Sequence, residues 1–109
     1  SNCINTAGEK VYPEEVEEAL KLHDTVADAL VVGVKDAKWG QSITAVVQPN
    51  DGCMIDELEL KKFSRKHLAA YKLPKQILVK GNLNRAPNGK ADYKSIQEYA
   101  ERQLGITKV

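Results

Sequence analysis

Ala29-Leu30-Val31-Val32-Gly33-Val34-Lys35-Asp36-Ala37-Lys38-Trp39-Gly40-Gln41-Ser42-Ile43-Thr44-Ala45-Val46-Val47 holds two apolar runs, 29–34 and 42–47, on either side of a polar connection that ends in a glycine. Val, Ile and Thr suit a pleated, largely buried surface, and Gly40 suits a turn. The two runs are expected to pair as the central strands of a sheet.

Outward from them, Pro13 at a first helical position, glutamates in the early turns, and Val16, Ala19 and Leu20 on one face predict a helix over residues 13–22. On the other side, Asp56 followed three residues later by Glu59 is a capping-box pattern, and predicts a helix running to about residue 68. Residues 76–79 read as a third strand. Tyr93, Ile96, Ala100 and Leu104 recur at spacings of three or four, so a last helix starts near Asp92 and lays one apolar stripe on the sheet. The fold class is α+β: a small three-stranded sheet flanked by about three helices, with a short N-terminal hairpin remnant.

The 109 residues are one domain's worth, enough for a core without disulfide or metal staples. With 16 basic against 15 acidic residues, neither disorder nor a nucleic-acid partner is implied, and any phosphate contact must be local. Cys3, Cys53, His23 and His67 match no metal-ligand spacing, and a reduced, cytoplasmic compartment is expected. No apolar run is long enough to span a bilayer. The abrupt opening at Ser1-Asn2-Cys3-Ile4 is read as a cut near a domain boundary, with Ser1-Asn2 a cloning remnant.

Among residues that can carry chemistry, Lys90 stands out at the end of Asn84-Arg85-Ala86-Pro87-Asn88-Gly89-Lys90. Pro87 fixes its own φ and Gly89 can take a positive one, so the turn is a constrained base for a cation suited to phosphate or carboxylate oxygens. On the turn alone, a solvated loop lysine is the plainer reading. Gly8, within Ala7-Gly8-Glu9, lets a backbone approach another group closely, or simply closes a hairpin turn. Trp39 can stack on a base or cap the end of the sheet. Tyr71, Lys72 and Lys75 bracket Pro74 and set an aromatic face beside two cations, a combination that suits a nucleotide bearing phosphates and also a plain solvated loop. No free-standing catalytic set accompanies them. There is no Gly-rich phosphate loop, no defensible carboxylate pair and no Cys/His nucleophile, so Lys90 would complete a site built elsewhere.

Taken in order and spacing, residues 4–17, residues 34–41, Tyr71-Lys72-Leu73-Pro74 and Arg85-Ala86-Pro87-Asn88-Gly89-Lys90 resemble the C-terminal domain of AMP-forming acyl-CoA synthetases. The likeness covers nearly the whole chain, roughly residues 3–99. It implies an enzyme that joins a carboxylic acid to ATP as acyl-AMP and then lets coenzyme A displace AMP. By that resemblance Lys90 serves the first step. The loop Ala7-Gly8-Glu9 lines the pantetheine tunnel in the second, and Trp39, Tyr71 and Lys75 meet the nucleotide end of coenzyme A. The large N-terminal adenylation domain, which would bind ATP, the acyl group and Mg2+, is expected as the partner in the same polypeptide. Alone, this domain is expected to be inactive.

Ala7 stands where many members have glycine, and Leu73 replaces a basic residue found in some. Ala91-Asp92-Tyr93 after the lysine is nearest to fatty-acyl members. Two alternatives stand beside this one: a non-catalytic α+β interaction module, and an adenylation enzyme that loads a carrier protein instead of free coenzyme A.

Overall fold

The computed structural model describes residues 2–106, so the reading of Ser1 as a remnant lies outside the described residues. The two apolar runs pair as expected, but their strands are longer: β3 (Val26–Asp36) and β4 (Gly40–Pro49) leave only residues 37–39 between them. They run antiparallel, with Leu30 opposite Val46, Val31 opposite Ala45 and Asp36 opposite Gly40. Before them lie β1 (Ile4–Thr6) and β2 (Glu9–Val11), and β5 (Gln76–Val79) follows later.

The sheet has five strands, not three. Its order is β2-β1-β4-β3, and β5 lies parallel to β4 over Thr44–Val47. β3 occupies one edge of β4 throughout, so β1, joined through Thr6 opposite Gly40, and β5 share the other. The expected hairpin remnant is thus part of the sheet. Strands of three residues are too short for a period of two to be seen, which is why the sequence did not show them as members.

Side chains alternate between two cores. Ala29, Val31, Ile43, Ala45 and Val47 pack with Val16 and Leu20 of α1 (Pro13–Lys21) and with Leu60 of α2 (Glu57–Ser64). Leu30, Val32, Val34 and Val46 meet Ile96 and Ala100 of α3 (Tyr93–Leu104) on the opposite face. A sheet covered on both sides needs apolar residues at consecutive positions, hence an unbroken run at 29–34.

The helix signals act as expected at their starts. Pro13 opens α1, Asp56 Oδ1 accepts the Glu59 N–H at 3.1 Å, and Asp92 Oδ1 accepts the Ser95 N–H at 3.1 Å. The Glu59 carboxylate does not return to the cap; it accepts from or pairs with His23 Nε2 at 2.9 Å and so ties α2 to the end of α1. α2 stops at Ser64, four residues short of the expected end. There the Ser64 hydroxyl donates to the Lys61 carbonyl at 2.8 Å, and the chain tightens into turns that bury Leu68.

β3 lies at the edge of the sheet, and side chains bond three of its backbone groups. Asp28 Oδ1 accepts the Ala29 N–H (2.9 Å), Glu17 Oε2 accepts the Val31 N–H (3.0 Å), and Gln97 Nε2 donates to the Gly33 carbonyl (2.7 Å). Glu17 is itself buried, and its Oε2 also accepts the Tyr93 hydroxyl at 2.7 Å.

Candidate functional site

The β1–β2 hairpin turns at Ala7 and Gly8, with φ of 51° and 83°. Two successive left-handed residues give the two-residue turn whose twist matches its strands. Gly8 thus closes a hairpin turn, and that turn is also fixed in space: the Ala7 N–H donates to the Trp39 carbonyl at 2.9 Å.

Asp36 organises the loop that carries Trp39. Its Oδ1 accepts the N–H groups of Lys38 (2.8 Å) and Trp39 (3.0 Å), while Oδ2 accepts from Lys75 Nζ at 2.9 Å. The Lys75 hydrogen bond, then those two N–H groups, hold the Asp36 carboxyl below the usual carboxylate range. Lys75 is placed by its own N–H, which donates to the Ile43 carbonyl at 2.8 Å just before β5. From there its ammonium stands 4.6 Å from the centre of the Trp39 ring, a cation–π distance.

These contacts shape a groove of about 480 Å³, lined by Ala7, Trp39, Tyr71 and Lys75 together with apolar side chains such as Ile43 and Pro74. Trp39 and Tyr71 are 37% and 46% exposed, so both rings offer surface to a ligand. Four of the candidate residues are thus brought together. Gly8 and Glu9 sit exposed beside the groove at the hairpin tip without lining it. Lys72, the other cation beside Tyr71, gives its ammonium to Glu15 of α1 at 2.8 and 2.9 Å, which raises its pKa.

Lys90 lies on a separate surface. The Gly89 N–H donates to the Ala86 carbonyl at 2.7 Å, closing the turn with Pro87 in its second position and Gly89 at φ 85°. Asn88 Oδ1 accepts the Lys90 N–H at 3.0 Å, and the Lys90 carbonyl accepts the Ala86 N–H at 3.0 Å. Its backbone is held on both sides, while its side chain is exposed and without a partner among the described residues. Behind the turn, the Arg85 guanidinium donates through Nε to Asp28 Oδ2 (2.7 Å) and through Nη2 to Asp28 Oδ1 (3.0 Å). Burial alone would raise the Asp28 carboxyl, but the Arg85 fork and the Ala29 N–H outweigh it and hold it below its ordinary range.

The two surfaces are far apart. The Lys90 turn is moored at Asp28, near the start of β3, and Trp39 follows its end at Asp36. Eight residues of extended strand put those anchor points roughly 26 Å apart.

Asp28, Asp36 and Glu17 were not singled out in the sequence, and Arg85 entered only as part of a motif. A signal was present for two of them. Asp28 interrupts an apolar strand, where a carboxylate needs a cation or a donor, and Asp36 precedes a short loop, where Asx side chains accept backbone N–H groups. Among the described residues no group of three or more His, Cys, Asp or Glu could hold a metal ion.

Residues 15–90 match the AMP-binding enzyme C-terminal domain family. A medium/long-chain-fatty-acid–CoA/3-oxocholest-4-en-26-oate–CoA ligase of Mycobacterium tuberculosis (strain ATCC 25618 / H37Rv) is 50% identical over 101 residues, which is 93% of this chain and 18% of that protein. Among solved structures, apo MatB from Rhodopseudomonas palustris superposes with a TM-score of 0.87 at 30% identity, covering 95% of this chain and 21% of that one. A Mycobacterium tuberculosis fatty acyl CoA synthetase gives 0.86 at 29% identity, covering 94% and 20%. The chain therefore spans about a fifth of the length of the proteins it matches. With the likeness running in register from α1 to the lysine at the end of the Pro-Asn-Gly turn, this chain belongs to the AMP-binding enzyme C-terminal domain family.

Proposed function

We propose that this chain is the mobile C-terminal domain of an ATP-dependent, AMP-forming acyl-CoA ligase, with a large N-terminal adenylation domain in the same polypeptide. A carboxylate attacks the α-phosphorus of ATP, giving acyl-AMP and pyrophosphate. The thiol of coenzyme A then attacks the acyl carbon and releases AMP. Lys90 acts in the first step, where its ammonium offsets the negative charge building on the carboxylate and α-phosphate oxygens. In the second step the groove takes the nucleotide end of coenzyme A. Trp39 and Tyr71 offer aromatic faces to the base, Lys75 offers its charge to the phosphates, and the tip Ala7-Gly8-Glu9 borders the pantetheine arm.

The observation that carries this reading is the separation of the two surfaces. Lys90 and the groove stand at opposite ends of one strand pair, so both can serve a single reaction centre only if the domain turns between steps. The acyl group we propose is a medium- or long-chain fatty acid, in line with the names of the mycobacterial relatives. The free thiols Cys3 and Cys53 fit a cytoplasmic enzyme.

The test is a pair of half-reactions on the full-length parent carrying Lys90→Ala. Acyl-AMP formation should collapse while thioester formation from supplied acyl-AMP continues. Survival of both would overturn the proposal. Transfer to a carrier protein with no use of free coenzyme A would replace the second step with the carrier-loading alternative.

A further inference from the structure

The Lys90 turn is strapped to β3 at both ends. Five residues before Lys90, Arg85 binds both Asp28 oxygens, and its third bond, from Nη1, goes to the Gly89 carbonyl at 3.0 Å. Three residues after Lys90, the Tyr93 hydroxyl reaches Glu17, whose same oxygen holds the Val31 N–H of β3. Arg85 is the stiffer strap. Its planar guanidinium spans a carboxylate and the peptide immediately before Lys90 in one rigid unit, which the point charge of a lysine cannot do.

We propose that Arg85 and Asp28 are positioning residues for adenylation: the Asp28–Arg85–Gly89 carbonyl relay fixes the origin and direction of the Lys90 side chain. This rests on the role of Lys90 proposed above. A lysine on a loose turn would still carry its charge, but backbone and side chain would both have to be ordered as the transition state forms. With the backbone held in advance, only the side chain is left to order. The groove, moored to the other end of β3 through Asp36, does not depend on the relay.

The experiment uses the full-length parent with Arg85→Lys, Asp28→Asn and the double variant, beside Lys90→Ala, with thermal unfolding recorded for each. Both single variants should lower kcat for acyl-AMP formation by about ten- to a hundred-fold. KM for ATP and thioester formation from supplied acyl-AMP should stay within about twofold. Because the two residues act through one relay, the double variant should be no slower than the slower single. Should Arg85→Lys fail to fold, the near-isosteric Asp28→Asn carries the test alone. The inference is overturned if the single variants form acyl-AMP at the natural rate while Lys90→Ala does not, or if both half-reactions fall in proportion. Normal adenylation by Lys90→Ala would instead remove the function proposed for Lys90, and this inference with it.

Discussion

Lys75 and Asp36 form an ion pair, Nζ to Oδ2 at 2.9 Å, in which one carboxylate sets both the position of the cation and the shape of the loop that presents Trp39. Asp36→Ala should therefore disturb the groove twice over, freeing Lys75 and releasing two backbone N–H groups. In the parent enzyme we expect KM for coenzyme A to rise by about tenfold, with acyl-AMP formation unchanged. Separate assays of the two half-reactions check this, and an equal loss in both would count against the groove as the coenzyme A surface.

Glu17 gives a pH signature. Burial raises its carboxyl above the ordinary value of 4.5, against the opposing hydrogen bonds from Tyr93 and Val31. The folded protein then keeps that proton to higher pH than the unfolded chain. The associated stability is complete below 4.5 and is lost as pH rises through the raised value. Glu17→Gln keeps an acceptor for the Val31 N–H and does not titrate. Its stability relative to the natural chain should improve as pH rises from 4.5 through the raised value, as read from urea midpoints.

Asp28 has the opposite sign. Its folded carboxyl lies below the ordinary 3.8, so its contribution is present above that value and is lost as pH falls through the lower one. Asp28→Asn should flatten the acid limb of the stability profile and leave the limb above it parallel to the natural protein's. An unchanged acid limb would mean that the pairing with Arg85 contributes little to folding.

Gly33 is needed for a close approach in the middle of β3. A Cβ there would meet Ile4 Cγ2 at 2.8 Å and the Gln41 amide at 2.9 Å. Gln41 also accepts the Asn5 N–H at 2.8 Å, so the crowding would reach β1. Gly33→Ala should cost about 1–3 kcal/mol, seen as a fall in Tm of at least about 4 °C.

The hairpin tip makes an asymmetric prediction. Ala7 occupies a left-handed conformation that costs an L-residue about 1–2 kcal/mol, an excess that Ala7→Gly removes. The looser unfolded chain takes back about 0.4–1 kcal/mol. Ala7→Gly should be neutral to mildly stabilising. Gly8→Ala, with no neighbour within 4 Å of the new Cβ, should lose about 1 kcal/mol from backbone strain alone. Equal effects from the two changes would contradict the turn geometry.

Much of this fold could be read in the chain because its signals are local. Pro13 marks a helix start through its fixed φ, Asp56 and Asp92 mark theirs through bonds to a residue three further on, and the Pro87–Gly89 turn is equally local. The stop of α2 was missed because Ser64 ends it through a bond to Lys61 that any mid-helix serine can make. The five-stranded sheet was missed because β1 joins it through a single register pair at Gly40. The groove residues are recognisable by type, aromatics and a lysine near turns. Their supports are not: Arg85 and Asp28 are 57 positions apart, and Lys75 and Asp36 are 39 apart, so neither partner announces the other.

The covered edge of β3 has a consequence for life outside the assembled enzyme. An eleven-residue edge strand that is apolar on both faces is a template for pairing with another chain. If the domain travels between two poses as proposed above, a large neighbour cannot hide such a strand throughout the cycle. Glu17, Asp28 and Gln97 occupy backbone groups along the middle of that edge from within the domain itself. Their side chains would guard the strand during the proposed swing, and losing α3, which supplies Gln97 and Tyr93, should leave that edge open to aggregation.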